Sequence, residues 1–335
     1  MEFTYFIGTD VSKNELDFAV MQGNTLLFHK EITNKPADIS VFIKELIKLK
    51  GFNLTQAVFC MEHTGIYNNH LLACLHTKGA NICLEAATQI KQSLGNIRGK
   101  NDKIDSIRIA EYAWMKRDKL RLWKPKREVI QQLAHYSATR SRLIDAKKML
   151  AVPLKEHGSF STKKIAKQST ASCSHTLKAI DADLNRVEKA MDMIIAEDSE
   201  LKRLFSLVTS VCGIGKVTAT QILITTNEFK DIQDPKQYAC YAGVAPFTDD
   251  SGKIKKKARV SHMANKKVKT LLHLSALVAI QHNPDLKLYY QRKVIGEKKN
   301  KMSVINAVRN KLILRIFACV KQNRAYENNY QQLVA

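Results

Sequence analysis

Phe3-Thr-Tyr-Phe-Ile-Gly-Thr-Asp10-Val-Ser-Lys-Asn-Glu-Leu-Asp-Phe-Ala-Val20 is the stretch from which the architecture can be worked out. A short apolar run rich in β-forming residues ends in an aspartate. Ser-Lys-Asn then supplies turn chemistry, and apolar and polar residues alternate again. The pattern predicts a strand that delivers a carboxylate to its C-terminal edge, followed by a hairpin. In open α/β sheets ligands bind outside the carboxyl ends of strands, so Asp10 is a candidate site residue. Taken alone, Asp10 reads more simply as the first residue of a turn.

Working outward, alternation of strand and helix continues to about residue 115. Strands are expected near 3–9, 15–21, 25–33, 57–61 and 81–84, and helices near 37–50, 67–78, 86–94 and 103–116. Three strands in hairpin succession followed by alternating helices and strands make a mixed sheet with helices packed on it, the element order of an RNase H-like domain. Residues 117–127 form a basic, proline-containing linker. Two long helical stretches follow, with one seam from Val129 to Leu154 and another from Leu177 to Phe205. Their sustained 3–4 spacing is that of a coiled coil, either a hairpin packing on itself or a dimerisation arm. Between the seams, Gly158 to Ser174 is rich in Ser, Thr and Lys and reads as a polar loop. The domain division is therefore 1–116, 117–127 (linker), 128–205 (helical arm), 206–325 (a mostly helical C-terminal domain) and 326–335 (a polar tail).

The 335-residue chain carries a net charge of +23, unevenly placed. Residues 1–100 hold 10 Lys and Arg against 9 Asp and Glu, whereas the remainder holds 44 against 22. A near-neutral first part followed by a basic remainder points to a polyanion, above all nucleic acid. No apolar run has the length of a membrane span, and the N-terminus has no secretory pattern, so a cytoplasmic, nucleoid-associated location is expected. The seven cysteines are scattered without C-x-x-C spacing, which speaks against a zinc site or a disulfide framework.

Two further acidic sites raise the interest of Asp10. Val58-Phe-Cys-Met-Glu62-His-Thr-Gly is again a buried-type strand ending in a carboxylate. In Lys100-Asn-Asp102-Lys-Ile-Asp105, two acids three apart at a helix start share one face; their plainer role would be capping and dipole compensation. Four carboxylates brought together repel one another, and a hard divalent cation such as Mg²⁺ relieves the repulsion. Beside DNA, such an ion stabilises the charge that builds on a phosphodiester under attack. Arg98, Lys100 and Lys103 flank the pair and could hold the strand.

At these residues the chain resembles the transposases of insertion-sequence family 110, with its 1111 subgroup, which are related to the Piv invertase. The matching motifs are Asp10-Val-Ser-Lys, Glu62-His-Thr-Gly-Ile-Tyr and Lys100-Asn-Asp102-Lys-Ile-Asp105. The resemblance implies an N-terminal RuvC-like DEDD domain of RNase H fold, a long coiled-coil arm and a mostly α C-terminal transposase domain. It implies that Asp10, Glu62, Asp102 and Asp105 hold Mg²⁺ or Mn²⁺, and that the protein is an RNA-guided DNA transposase. It further implies partners: DNA at the element ends and target, a structured noncoding bridge or seek RNA, and a homodimer assembling to a tetramer.

Beyond the arm, Val211-Cys-Gly213-Ile-Gly215-Lys216 reads as a helix–hairpin–helix-like turn whose backbone N–H groups could meet a phosphate, or as a tight helix–helix turn. Tyr241-Ala-Gly243-Val-Ala-Pro246 is a poorer version of the same. Asp249-Asp-Ser251-Gly is turn chemistry, followed by Lys253, Lys255, Lys256, Lys257 and Arg259, which could line a nucleic-acid groove. On its own Ser251 is an ordinary turn serine. The resemblance implies that it is the nucleophile, forming a covalent phosphoserine link to DNA, with Ser261 as the competing position. Lys266 and Lys267 open the next helix and are candidate phosphate contacts. His262, His273 and His282 form no metal pattern, and Arg309, Lys311 and Arg315 are expected on a solvated or RNA-facing helix side. Two rival functions remain open: a RuvC-like hydrolytic nuclease or junction resolvase, and a non-enzymatic nucleic-acid-binding protein.

Overall fold

The computed structural model describes residues 2–93, 101–248 and 258–328, and the chain divides into two units, Met1–Pro125 and Lys126–Ala335. In the first unit β1 (Tyr5–Val11), β2 (Glu15–Gln22) and β3 (Thr25–Thr33) run as successive hairpins. After α1 (Pro36–Ile47), β4 (Ala57–Glu62) pairs parallel with β1, and after α2 (Asn69–Thr77), β5 (Asn81–Glu85) pairs parallel with β4. The result is a mixed five-stranded sheet in the order β3-β2-β1-β4-β5. Helices α3 (Ala87–Ser93) and α4 (Asp102–Met115) complete the unit.

Side-chain alternation divides the sheet into two faces. Tyr5, Ile7, Leu16, Phe18, Val20, Phe59 and Met61 form one buried cluster with α1 and α2. Phe6, Ala19, Met21, Val58, Cys60 and Cys83 face the other way and pack with Ile109, Ala110 and Ala113 of α4. Gly8 lies on this second face, where the absence of a side chain lets the α4 backbone settle onto β1. After α4 the chain returns to the sheet edge: Leu122 bridges to Cys83, and Trp123 donates its N–H to the Ile82 carbonyl at 2.7 Å. The stretch read as a basic linker is thus partly docked on β5.

The second unit is almost wholly helical. Helices α5 (Glu128–Phe160) and α6 (Lys163–Glu197) are joined only by Ser161 and Thr162. They run antiparallel, as the ion pairs Arg140–Glu188 at 2.7 Å and Lys147–Asp181 at 2.5 Å require. The polar loop expected over 158–174 is therefore corrected: most of it is helix. Its hydroxyls turn back onto their own helix, Thr170 donating to the Ala166 carbonyl at 2.8 Å and Ser172 to that of Gln168 at 3.0 Å. They thereby cease to compete with the helical ladder. The second seam does not run unbroken to Phe205 either. Asp198 ends α6 and caps α7 (Ser199–Thr209), accepting from Leu201 N–H at 2.8 Å.

The chain continues through α8 (Lys216–Thr226), α9 (Pro235–Tyr241), the two-residue strands β6 (Pro246–Phe247) and β7 (Arg259–Val260), α10 (Lys266–His282), α11 (Pro284–Gln291) and α12 (Lys301–Gln322). The core of this unit gathers Leu204, Val208, Ile222, Tyr238, Leu272, Ala276, Leu312 and Ile316. Arg309, expected on a solvated side, is only 6% exposed. It falls within the α12 stripe of Ile305, Val308, Leu312 and Ile313 and meets His273 of α10. Tyr326, placed in the polar tail, donates its N–H to the Ser210 hydroxyl at 2.8 Å.

Candidate active site

Three parallel strands end in acids at one edge of the sheet: Asp10 in β1, Glu62 in β4 and Glu85 in β5. Thr9 pairs with Met61, so Asp10 and Glu62 occupy the next level, and Glu62 pairs with Glu85. All three project from the face that α4 covers, because they continue the alternation Phe6, Gly8, Asp10 and Val58, Cys60, Glu62. Asp17 sits opposite Asp10 on β2 and is held by His29, 2.8 Å away.

The first turn of α4 brings the other two carboxylates. The helix is capped by Asn101, whose side chain accepts from Lys103 N–H at 3.0 Å. Capping is therefore not the task of Asp102 or Asp105. Asp102 is exposed; Asp105 is half-buried and accepts from Arg108 at 2.9 Å.

The electrostatics at Asp10 register the gathering. Its pKa is raised from the ordinary carboxylate value to about 6, first by burial and then by the charges of Asp102, Asp105 and Glu62, with an opposing hydrogen bond from the Val11 backbone. The four predicted acids are thus near neighbours. They are not drawn into a cage: among the described residues no three His, Cys, Asp or Glu side chains are grouped tightly enough to hold a metal ion as they stand. The donor set is wholly carboxylate, the chemistry a hard divalent cation takes.

Two buried asparagines hold the loops behind these acids, and the sequence reading missed both. Asn68 donates to the Glu62 carbonyl at 2.9 Å and accepts from Thr64 N–H at 2.7 Å. Asn34 donates both to the Ser12 carbonyl, two residues past Asp10, at 2.9 Å and to the Tyr67 carbonyl, five residues past Glu62 in the turn Gly65–Asn68, at 3.0 Å. One side-chain amide therefore ties together the loops that follow the two acids. Neither asparagine stands in a recognisable motif; only the pairing of distant loops reveals the role.

Residues 7–157 match a transposase family model that carries the names DEDD and IS110, and residues 205–291 match the transposase IS116/IS110/IS902 family. The chain belongs to the IS110 family of transposases. Similar proteins include the pilin gene-inverting protein of Moraxella lacunata, 24% identical over 339 residues, covering 98% of this chain and 99% of that protein. An uncharacterized 43.6 kDa protein of insertion element IS110 from Streptomyces coelicolor is 24% identical over 157 residues, 47% of this chain and 38% of that protein. T. thermophilus RuvC, solved in complex with a Holliday junction substrate, aligns with 36% of this chain and 99% of its own at 12% identity and a TM-score of 0.29.

The candidate nucleic-acid contacts of this IS110-family transposase fall in several places. Lys103 is exposed on the first turn of α4. Gly213 has φ +90°, and a Cβ there would stand 2.4 Å from the Ser275 carbonyl oxygen, so this glycine is accounted for by packing against α10. Gly215, which precedes α8, has open space around its Cα. Lys216 pairs with Asp192 at 2.9 Å, a surface pair that a phosphate can displace at little cost. Arg259 is exposed on β7. Lys266 and Lys267 lie on the surface at the start of α10, but the Lys267 amine donates to the Ser137 hydroxyl at 3.3 Å, and its desolvation there, followed by the nearby Arg140, lowers its pKa. Ser251, Arg98, Lys100, Lys253, Lys255, Lys256 and Lys257 lie outside the described residues, while β6 and β7, on either side of the serine segment, pair with each other.

Proposed function

We propose that this transposase is an RNA-guided recombinase that cuts and rejoins DNA through a phosphoserine at Ser251, assisted by Mg²⁺ or Mn²⁺ at Asp10, Glu62, Asp102 and Asp105. The observation that carries the reading is the placement of Asp10 and Glu62 at neighbouring strand ends beside the α4 turn that bears Asp102 and Asp105. The charges of the other three acids add to burial in raising the Asp10 pKa, and such a gathering of carboxylates calls for a cation. The ion would supply Lewis-acid stabilisation of charge on the phosphodiester. The strand order and the motif resemblance support a RuvC-like RNase H fold for the first unit. The α5–α6 hairpin is the candidate coiled-coil arm through which protomers pair into dimers and tetramers.

In the chemical step the Ser251 Oγ–P bond forms as one P–O ester bond of the DNA breaks. The serine loses its proton and the departing strand hydroxyl gains one. Ester energy is retained, so religation by an incoming strand hydroxyl needs no nucleotide. The pilin gene-inverting relative, similar over nearly the whole chain, favours this reading, because inverting a gene requires rejoining as well as cutting. A structured guide RNA, the DNA ends and the target fit the basic remainder after residue 100, and a nucleoid location follows from such partners.

The test is denaturing-gel trapping of a covalent protein–DNA adduct with the wild type and Ser251→Ala, in the presence of RNA copurified with the protein. A Mg²⁺-dependent adduct lost in the variant supports recombination through Ser251. Unchanged strand cleavage by Ser251→Ala would mean that water attacks and that the protein is a hydrolytic nuclease.

A further inference from the structure

Between α11, the π-helical turn Arg292–Gly296 and α12 lies a cavity of about 500 Å³, lined by Asp285, Leu286, Leu288, Tyr289, Arg292, Lys311 and Arg315. Its size is within the range of about 300–1,000 Å³ usual for ligand sites. Helical spacing makes the lining deliberate. Asp285, Leu288, Tyr289 and Arg292 share one face of α11 and the turn that follows, and Lys311 and Arg315 are four apart on α12. The π-helical turn is itself a rare feature that recurs at functional sites.

The cations of this cavity are positioned by aromatic rings instead of acids. Arg292 lies 5.8 Å and Lys311 4.8 Å from the centre of the Tyr289 ring, and Arg315 lies 4.8 Å from that of Tyr326. Among the described residues none of the three side chains forms an ion pair or a hydrogen bond, and the Arg315 Nη1 is buried without a partner. Asp285 lines the same cavity without pairing to any of them. Elsewhere in this unit cations commonly meet carboxylates, as at Arg127, Arg140, Lys147 and Arg203. Three positive charges set against the one carboxylate of Asp285 leave the concavity net positive, a repulsion that an entering anion relieves.

The geometry points to this cavity as a binding site for a nucleic-acid backbone phosphate, held by Arg292, Lys311 and Arg315 over Tyr289. It rests on the reading of the protein as a nucleic-acid enzyme and adds a contact outside its reaction chemistry. Guanidinium groups offer paired N–H donors to phosphate oxygens, and the ring keeps Arg292 and Lys311 in place before the ligand arrives. RNA and DNA share that backbone, and the test separates them.

The experiment measures binding of the full chain to mixed-sequence duplex DNA, single-stranded DNA and duplex RNA from 50 to 200 mM salt. The variants are Arg292→Gln/Lys311→Gln, one exposed and one half-buried position, and Tyr289→Leu, which leaves the net charge unchanged. The double variant is expected to flatten the slope of log affinity against log salt by about 1.8 on duplexes, or ~1.4 on single strands, and to lower affinity about tenfold at 150 mM. Tyr289→Leu is expected to weaken binding several-fold, an effect loss of charge alone does not produce. A change confined to RNA, or to DNA, identifies which chain occupies the cavity. If the wild type binds and the double variant matches it on all three ligands, the cavity proposal fails alone. If the wild type binds none of them, the proposed function fails with it.

Discussion

Gly8 of β1 lies so close to Ser106 of α4 that a Cβ on the glycine would stand 2.1 Å from the serine carbonyl oxygen. This contact sets how near the first turn of α4, with Asp102 and Asp105, comes to the end of β1, with Asp10. Replacing Gly8 by Ala forces backbone apart where no flexible side chain can yield. We expect a loss of about 3 kcal/mol in chemical denaturation, together with loss of Mg²⁺-dependent DNA cleavage. Full activity in a normally stable Gly8→Ala protein would show that the helix spacing is immaterial.

Asp10 is half-buried and held among like charges, so in metal-free protein its own carboxylate is a cost. Asp10→Asn removes that charge and keeps the shape. In EDTA near pH 7 the variant is expected to be more stable than the wild type, by about 1–2 kcal/mol after allowance for partial solvent exposure. Thermal melts should then show Mg²⁺ stabilising the wild type and leaving Asp10→Asn where it was. A variant less stable than the wild type in EDTA would mean that Asp10 is making favourable contacts instead.

Asn34 ties the loop at Ser12, past Asp10, to the turn at Tyr67, five residues past Glu62, with one amide. Asn34→Ala should cost about 1–3 kcal/mol of stability, as loss of buried hydrogen bonds does. It should also weaken Mn²⁺ binding, which a purely structural defect of equal size elsewhere in the unit would not. Asn53→Ala, which removes the cap at Thr55, serves as that comparison. Equal Mn²⁺ affinity in both variants would remove Asn34 from the list of positioning residues.

In the second unit Arg127 bridges Asp198, at 2.8 Å, and the wholly buried side chain of Glu228. Hydrogen bonds from Arg127 hold Asp198 below its ordinary pKa. Burial alone would raise Glu228, but Arg127 and Lys230 outweigh it and its pKa is also lowered. Carboxylates with a depressed folded pKa stabilise above their unfolded pKa, near 4, and lose that contribution as pH falls through the lower folded value. Arg127→Ala should therefore cost about 3 kcal/mol at pH 7, with the gap to wild type narrowing below about pH 4. Tm measured across pH 2.5–7 checks this; a gap of constant size would contradict it.

Much of the first unit was legible because each strand is an apolar run closed by a polar residue, and β-pairing then leaves little choice of face. The acids at Asp10 and Glu62 could be found that way. Glu85 was not singled out, although it ends β5 in the same manner, because the strand Asn81–Glu85 is short and starts with a polar residue. The segment 158–174 misled for a different reason: Ser, Thr and Lys describe an exposed surface, and an exposed helix carries them as readily as a loop. Arg309 was misplaced because its type outweighed its position, three residues before Leu312 and four after Ile305 on a buried stripe. The aromatic-held cations around Tyr289 depend on two helices meeting, which no local pattern announces.

Four acids acting as one cation site underlie the proposed chemistry. The most direct test is Mn²⁺ binding, followed by electron paramagnetic resonance, to the wild type and to Asp10→Asn, Glu62→Gln, Asp102→Asn and Asp105→Asn. We predict saturable binding to the wild type and a loss of at least about tenfold in affinity for each variant. Wild-type affinity retained in Glu62→Gln and Asp102→Asn would contradict the shared site.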